Sequence, residues 1–405
     1  MDHPSDMMNL PQELLELILQ RVSLMDNLMN CRATCRSWRK VADAVFTSKL
    51  PLMLSLSPSE SEEPNLASLS APWSNDHKSS ITVLTEAWPR AVDCSTDIIR
   101  VQSVQGWLMF NKFHHLIDKD QTFCELCFFN PFSRASFKLP KLFLFSTSAM
   151  SDSRVRVVFN SAPPGSDEFV VVLLCASFYN RKDDDDQMRQ NIAFFKFKQG
   201  SWIVSESIVE INEIFYDIAI DEYNKLYGLT HEHNTSVVFV LTLGGDDHKY
   251  HVVERLVMQN SIEDINFMAT SSVLFGISSF RTQRLAMDTS TGELLLVLYY
   301  QFSCSSVHVH TEEFHVYKLE KSSLRWCEVF DIGDRFMLWD STRVSFVSAK
   351  GLSVPEKFKR GNCVFFIQHD DIGFFFLGDR NNNYVAVSSS LPFSIDQNLW
   401  FSPAP

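Results

Sequence analysis

Glycine is scarce in this chain, 13 residues in 405, and none stands in a phosphate-cradling GxxxxGK loop. GxSxG elbows and HExxH helices are also missing, so the common routes to nucleotide, esterase and zinc-protease chemistry have nothing to carry them. Long apolar runs are absent too. No stretch approaches the ~20 apolar residues of a membrane helix, and the opening MDHPSDMMNL has no basic segment leading into one. A soluble protein of the nucleus or cytoplasm is the expectation. Positive charge is in short supply: 36 Lys and Arg face 49 Asp and Glu, a net charge of −13. That balance disfavours attraction to phosphate backbones or anionic lipid, so neither nucleic acid nor membrane is expected as a partner. The nine cysteines are odd in number and sit in apolar settings such as Leu173-Leu174-Cys175 and Asn362-Cys363-Val364. They read as small buried hydrophobes in a reducing compartment, with no disulfide framework.

What is present begins with Leu10 to Val45, a stretch richer in apolar surface than three short helices can hide among themselves. Pro11 fits the opening turn of a helix, where its missing N–H is not needed, and Glu13 favours the dipole there. Leu14, Leu17 and Ile18 form a stripe at the i, i+3, i+4 spacing, while Leu10, Leu15, Leu19 and Val22 add apolar area on other sides. Ser23 and Asp26 read as a cap and its reciprocal acid, and Leu28 and Met29 open a second short helix. A third carries Cys35, Trp38, Val41, Ala42 and Val45 on one face, with Arg32, Arg36, Arg39 and Lys40 toward solvent. Burying one Leu or Ile is worth ~1.5–3 kcal/mol, so several left uncovered point to a second polypeptide.

These residues resemble the F-box family. Leu10, Pro11, Glu13, Leu14, Leu15, Ile18, Leu19, Asp26, Cys35, Arg36, Trp38 and Arg39 stand where its pattern places them, over about a tenth of the chain. The resemblance implies docking on the Skp-type adaptor of a cullin-RING ubiquitin ligase. It implies Leu10, Pro11, Glu13, Leu14, Leu15, Ile18, Leu19, Cys35 and Trp38 as the adaptor-binding residues.

After a strand at Leu50 to Leu56, residues 57–80 turn polar, with Ser, Glu and Pro repeated, and read as a loop. From Ile81 on, short runs such as IAFFKF, VVFVLTL, FHVYKL, CVFFIQ and GFFFLG alternate with turn residues, and phenylalanine alone accounts for 34 residues. These are strands, and with no long amphipathic helix between them parallel βαβ units are disfavoured. Two texts recur at separations near multiples of ~40–60 residues: an aromatic strand, polar turn and Trp (Phe194 to Trp202, Phe314 to Trp326), and a strand–turn–strand (Gly106 to Asn130, Lys225 to Leu243, Asn362 to Gly378). Such spacing suits propeller blades of four strands. Gly106-Trp107-Leu108, Phe129-Asn130-Pro131-Phe132-Ser133-Arg134, Leu139-Pro140, Gly292-Glu293-Leu294-Leu295 and Val316-Tyr317-Lys318-Leu319 with Trp326 and Gly333-Asp334 resemble plant F-box proteins with a kelch-like β-propeller. The fold class expected is thus α+β and multidomain. A small three-helix F-box, residues 5–48, precedes an all-β propeller-like domain, residues 49–405.

Other constellations have bland readings. Cys124-Glu125-Leu126-Cys127 has metal or redox spacing, but on a strand residues i and i+3 face opposite ways and no second CxxC exists. His231-Glu232-His233 and His308-Val309-His310 pair imidazoles without an obvious third ligand. Asp183 to Asp186 reads as a solvated loop, and Asn234-Thr235-Ser236 as an exposed turn. Asn130-Pro131-Phe132, which could be a short trafficking ligand, reads as a turn at a strand end. No metal, cofactor or catalytic residue is assigned. The function expected is a non-catalytic substrate-recognition subunit of a Skp/cullin/F-box ubiquitin ligase, holding an unidentified protein target. The alternatives are an interaction scaffold without ubiquitin transfer and a propeller hydrolase with its site in the central channel.

Overall fold

In the computed structural model the described residues are 10–20, 31, 34–48, 52–56, 67–70, 79–81, 98–104, 107–116, 121–130, 135–144, 154–160, 166–179, 187–205, 214–232, 235–243, 250–257, 277–304, 309–340, 343–350, 352, 354–368, 371–378 and 398–401. Among the described residues two continuous helices open the chain, and Cys31 and Thr34 between them are also helical. Helix α1 (Gln12–Gln20) begins where Leu15 N donates to Pro11 O at 3.1 Å, and α2 (Arg36–Ser48) where Arg39 N donates to Cys35 O at 2.9 Å. The helices pack against each other. Leu28 and Met29, where the sequence predicts a second short helix to start, lie outside the described residues.

From Leu52 onward the regular elements among the described residues are strands, apart from two single 3-10 turns. The first sheet holds β1 (Leu52–Leu56), β2 (Ala67–Ser70) and β3 (Ser79–Ile81). The second holds β4 (Ile98–Val104), β5 (Trp107–Leu116), β6 (Gln121–Phe129), β7 (Ser136–Lys138) and β8 (Leu142–Leu144). The third holds β9 (Arg154–Phe159), β10 (Val170–Tyr179), β11 (Gln187–Lys196) and β12 (Ser201–Ser205). The fourth holds β13 (Asp217–Ile220), β14 (Leu226–Glu232), β15 (Thr235–Leu243) and β16 (Tyr250–Val257). The fifth holds β17 (Ile277–Asp288), β18 (Glu293–Cys304), β19 (Val309–Glu320) and β20 (Arg325–Val329). The sixth holds β21 (Arg335–Trp339), β22 (Val344–Ser348), β23 (Cys363–Gln368) and β24 (Asp371–Phe376). The last strand, β25 (Asn398–Phe401), returns to the first sheet and pairs antiparallel with β1, Leu52 opposite Phe401.

Among the described residues the sheets are the blades of a propeller, five of four strands and one of five. Their first strands start at Ile98, Arg154, Asp217, Ile277 and Arg335, about sixty residues apart and so longer than the usual propeller repeat. Innermost strands touch from blade to blade: β25 with β4, β9 with β13, β13 with β17, and β17 with β22. Each apolar cluster is built from two consecutive sheets, which is the signature of stacking around an axis. Strand β10 shows why its run is apolar throughout: Val171, Leu173 and Cys175 face the second blade, while Val170, Val172 and Leu174 face the fourth. Alternate side chains leave opposite faces of a strand, and here both faces are interior.

One feature departs from the sequence reading and one from the order of the other blades. Residues 57–80 are not wholly loop, because β2 and the start of β3 lie within them, Leu54 opposite Leu69. Their Ser-rich text has weak strand preference, and pairing with β1 overrides it. The sixth blade also inverts its first hairpin: the order is β22-β21-β23-β24, with β21 antiparallel to β22 and parallel to β23.

Polar groups latch the seams between blades. Asn160 Nδ2 donates to Asn224 Oδ1 at 2.9 Å, joining the third blade to the fourth. Asp217 Oδ2 accepts from Leu285 N at 2.8 Å while Oδ1 lies 3.3 Å from Arg156 Nε, so one buried carboxylate spans three blades. Asp288 pairs with Arg335 across the fifth and sixth. Trp400 of β25 donates its backbone N–H to Asp340 Oδ2 at 3.2 Å and its indole N–H to Trp339 O at 2.9 Å, fastening the sixth to the first.

Candidate functional site

The residues carrying the F-box resemblance divide into two faces of α1. Leu15 and Leu19, four apart, are fully buried, as are Val41, Ala42 and Val45 of α2. Leu14, Leu17 and Ile18 are 49 %, 53 % and 45 % exposed, and their i, i+3, i+4 spacing puts them on one edge. Pro11 and Glu13 are exposed and Leu10 is partly exposed, which extends that edge to the helix start. Cys35 and Trp38 are partly buried, and Arg36, Arg39 and Lys40 are exposed on α2. The nine expected adaptor-binding residues are therefore not one surface: Leu15 and Leu19 point into the helical pair and hold its shape. Leu17, outside that set, belongs to the exposed edge. Its place in the stripe of three was the signal for it.

On the propeller, three exposed apolar side chains occupy turns of one kind. Phe197 lies in the β11–β12 turn, Tyr223 in the β13–β14 turn and Leu324 in the β19–β20 turn. Turns joining first to second and third to fourth strands emerge on the same face of a radial array, so these three share a side of the body. Tyr223 is the most exposed, at 74 %. Its turn is set by Asp221, whose Oδ1 accepts from Tyr223 N and Lys225 N, both at 2.9 Å. An Asx turn of this kind fixes the backbone and leaves the ring outward. The sequence did not reveal these anchors because it does not fix which turns share a face.

Near the axis the carboxylates are already committed. Burial pushes the Asp217 carboxyl up, while Arg284, Arg156 and the N–H groups of Leu285 and Ile218 hold it down. Among the described residues no three His, Cys, Asp or Glu side chains are grouped to hold a metal ion. Cys124 and Cys127 are both buried on β6, and Cys124 packs in the cluster between the second and third blades. Burial first, then the nearby Cys175 and Glu125, pushes the Cys124 thiol well up, away from the thiolate a metal or redox site requires. His231 lies on β14 and His310 on β19, while His233, His308 and Asp183 to Asp186 lie outside the described residues. Asn130 N donates to Ala135 O at 2.9 Å, while Pro131 and Phe132, where the sequence predicts a turn, lie outside the described residues.

Comparison with known proteins agrees with this division. Residues 7–46 match the F-box domain, and residues 77–384 match the KIB1-4 beta-propeller. β1, β2 and β25 of the first blade lie beyond that second match. No curated protein matches the chain. Among solved structures it is similar to the polysaccharide lyase Uly1, at 7 % identity and TM-score 0.36, over 85 % of this chain and 89 % of that one. It is also similar to MPT-4, a mannose phosphorylase from Leishmania mexicana, at 8 % identity and TM-score 0.28, over 76 % and 90 %. Likenesses this distant carry no argument about activity.

Proposed function

We propose that this chain, which belongs to the KIB1-4 beta-propeller family, is the substrate-recognition subunit of a Skp/cullin/F-box ubiquitin ligase. The F-box helices dock on a Skp-type adaptor, and the propeller presents a protein target for ubiquitination. The observation that carries the reading is the edge of Leu14, Leu17 and Ile18, within the F-box match, left about half exposed. Exposed apolar groups in register on a short helix mark a partner surface, since water contact forfeits most of their burial energy. Leu10 and Pro11 extend this surface, with Glu13, Cys35 and Trp38 at its margins.

The mechanism is proximity. A ligase subunit without bond-making residues of its own raises the effective concentration of a target's lysines near a charged conjugating enzyme, and rigid spacing preserves that gain. Interlocked blades supply rigidity on the target side, where Phe197, Tyr223 and Leu324 are the anchors we assign to the target-facing surface. This reading places the protein in the nucleus or cytoplasm. The test is co-purification with a Skp-type adaptor. Wild type should retain it, Leu14→Glu/Ile18→Glu should lose it, and Tyr223→Ala/Leu324→Ala should keep it while losing the target. If the Leu14→Glu/Ile18→Glu protein is folded and still binds the adaptor, the reading fails.

A further inference from the structure

At the seam that closes the ring, one guanidinium edge has been left without acceptors. Arg343 ends the β21–β22 turn: its N–H donates to Asp340 Oδ1 at 3.0 Å, and its carbonyl accepts from Asp340 N at 3.1 Å. Val344 and Phe346 turn toward the fifth blade and pack in the cluster shared with it. Arg343 and Ser345, of opposite parity, therefore face the first blade. The same side carries Phe365, whose ring centre lies 6.1 Å from that of Trp400. Trp400 and Asp340 hold this seam together, and both carboxylate oxygens of Asp340 accept from backbone N–H groups.

Arg343 Nε and Nη2 are sealed from solvent and have no hydrogen-bond partner, and Ser345 Oγ is in the same condition. The two nitrogens form the side-on edge of the guanidinium, whose parallel N–H groups match two oxygens of one phosphate or carboxylate. Burial, opposed by Asp340, pulls the guanidinium down to about 10, so the group is still charged at neutral pH. A buried charge with unmade hydrogen bonds is strongly unfavourable until acceptors are supplied.

We propose that the seam between the sixth and first blades binds a small free oxyanion of the phosphate or carboxylate class, gripped by the side-on edge of Arg343 with the Ser345 hydroxyl as a further donor. The anion lies beside the contacts that close the ring, so binding it stabilises the closed form. This site is separate from the adaptor edge and does not depend on the ubiquitin reading.

The test uses the full chain, melted in chloride buffer of constant ionic strength while inorganic phosphate, or in a second arm acetate, replaces chloride. Wild type should show a saturable rise in melting temperature with one of the two, and that arm identifies the class. Arg343→Lys, which keeps the charge but loses the fork, should weaken the response at least tenfold. Ser345→Ala should weaken it about fivefold, the loss of one hydrogen bond. An anion retained through purification should appear on denaturation of wild type and not of Arg343→Lys. An equal response in all three proteins is a general salt effect and overturns the proposal. So does wild type with neither a response nor a released anion, or an Arg343→Met variant that melts higher than wild type in every buffer. Should Arg343→Lys fail to fold, the affinity of Ser345→Ala decides.

Discussion

In α1, Leu14, Leu17 and Ile18 stand about half exposed while Leu15 and Leu19 are sealed; in β10 every residue from Val170 to Cys175 is buried. The helix has one inside and one outside, whereas the strand has two insides because a blade packs on both faces. Side chains of the same chemistry are therefore buried on both faces of the strand and divided between a sealed and an open face in the helix. An apolar residue is left open here by the absence of an internal neighbour, and not by its identity.

The largest expected effect separates the two faces of α1. Leu14→Glu/Ile18→Glu should lower adaptor affinity by at least about a hundredfold, as loss of two central apolar anchors does, while the unfolding midpoint in urea is unchanged. A fall in that midpoint would break the comparison by showing the edge to be internal. Next is Trp400→Ala at the ring closure, which should cost about 3–5 kcal/mol of propeller stability by urea unfolding. Trp400→Phe should recover part of it, because an aromatic ring is kept while the indole bond to Trp339 O and part of the ring volume are lost. Leu15→Ala should cost about 2–5 kcal/mol in the helical pair, read as loss of helical circular dichroism at lower urea, with adaptor binding falling only in step with unfolding. The smallest effect lies on the outer part of the fifth blade, where His315 bridges Glu313 and Glu328 at 3.0 Å each. Burial pulls this imidazole down, but the hydrogen bonds its ring donates to the two carboxylates, with their charges, outweigh it and its pKa is raised overall. A raised pKa means the pairing stabilises fully below the unfolded value near 6.5 and is lost as pH rises through the folded value. Wild type should exceed His315→Gln in stability by a larger margin at pH 6 than at pH 8, by less than about 1 kcal/mol because the two carboxylates are partly open to solvent.

The helical start, the strand texture and the blade-like recurrence are legible in the sequence because each rests on local pattern. Pro11 opens α1, and FFKFKQGSW is a strand, a turn with Gly200 at φ 68° and a second strand. Which leucines of α1 lie inside is not legible, since both faces carry them at helical spacing and the choice depends on where Val41, Ala42 and Val45 fall. Non-local pairing is equally hidden. Nothing in Asn398–Phe401 announces that it completes a sheet begun at Leu52, and the inverted hairpin of the sixth blade leaves no mark on the texts of β21 and β22. The orphaned edge of Arg343 depends on the parity of β22 and on a neighbour at the far end of the chain.

The pairing of β1 with β25 also sets an order of events during synthesis. Strand β1 follows α2 by only a few residues, yet its inner neighbour does not exist until translation has passed Phe401. The helical pair, whose contacts are local, can form while most of the polypeptide is still unmade. Under the function proposed above, an adaptor could then engage a nascent chain before the target-facing body is complete, and a ribosome stalled short of residue 398 would leave a receptor that is recruited but blind.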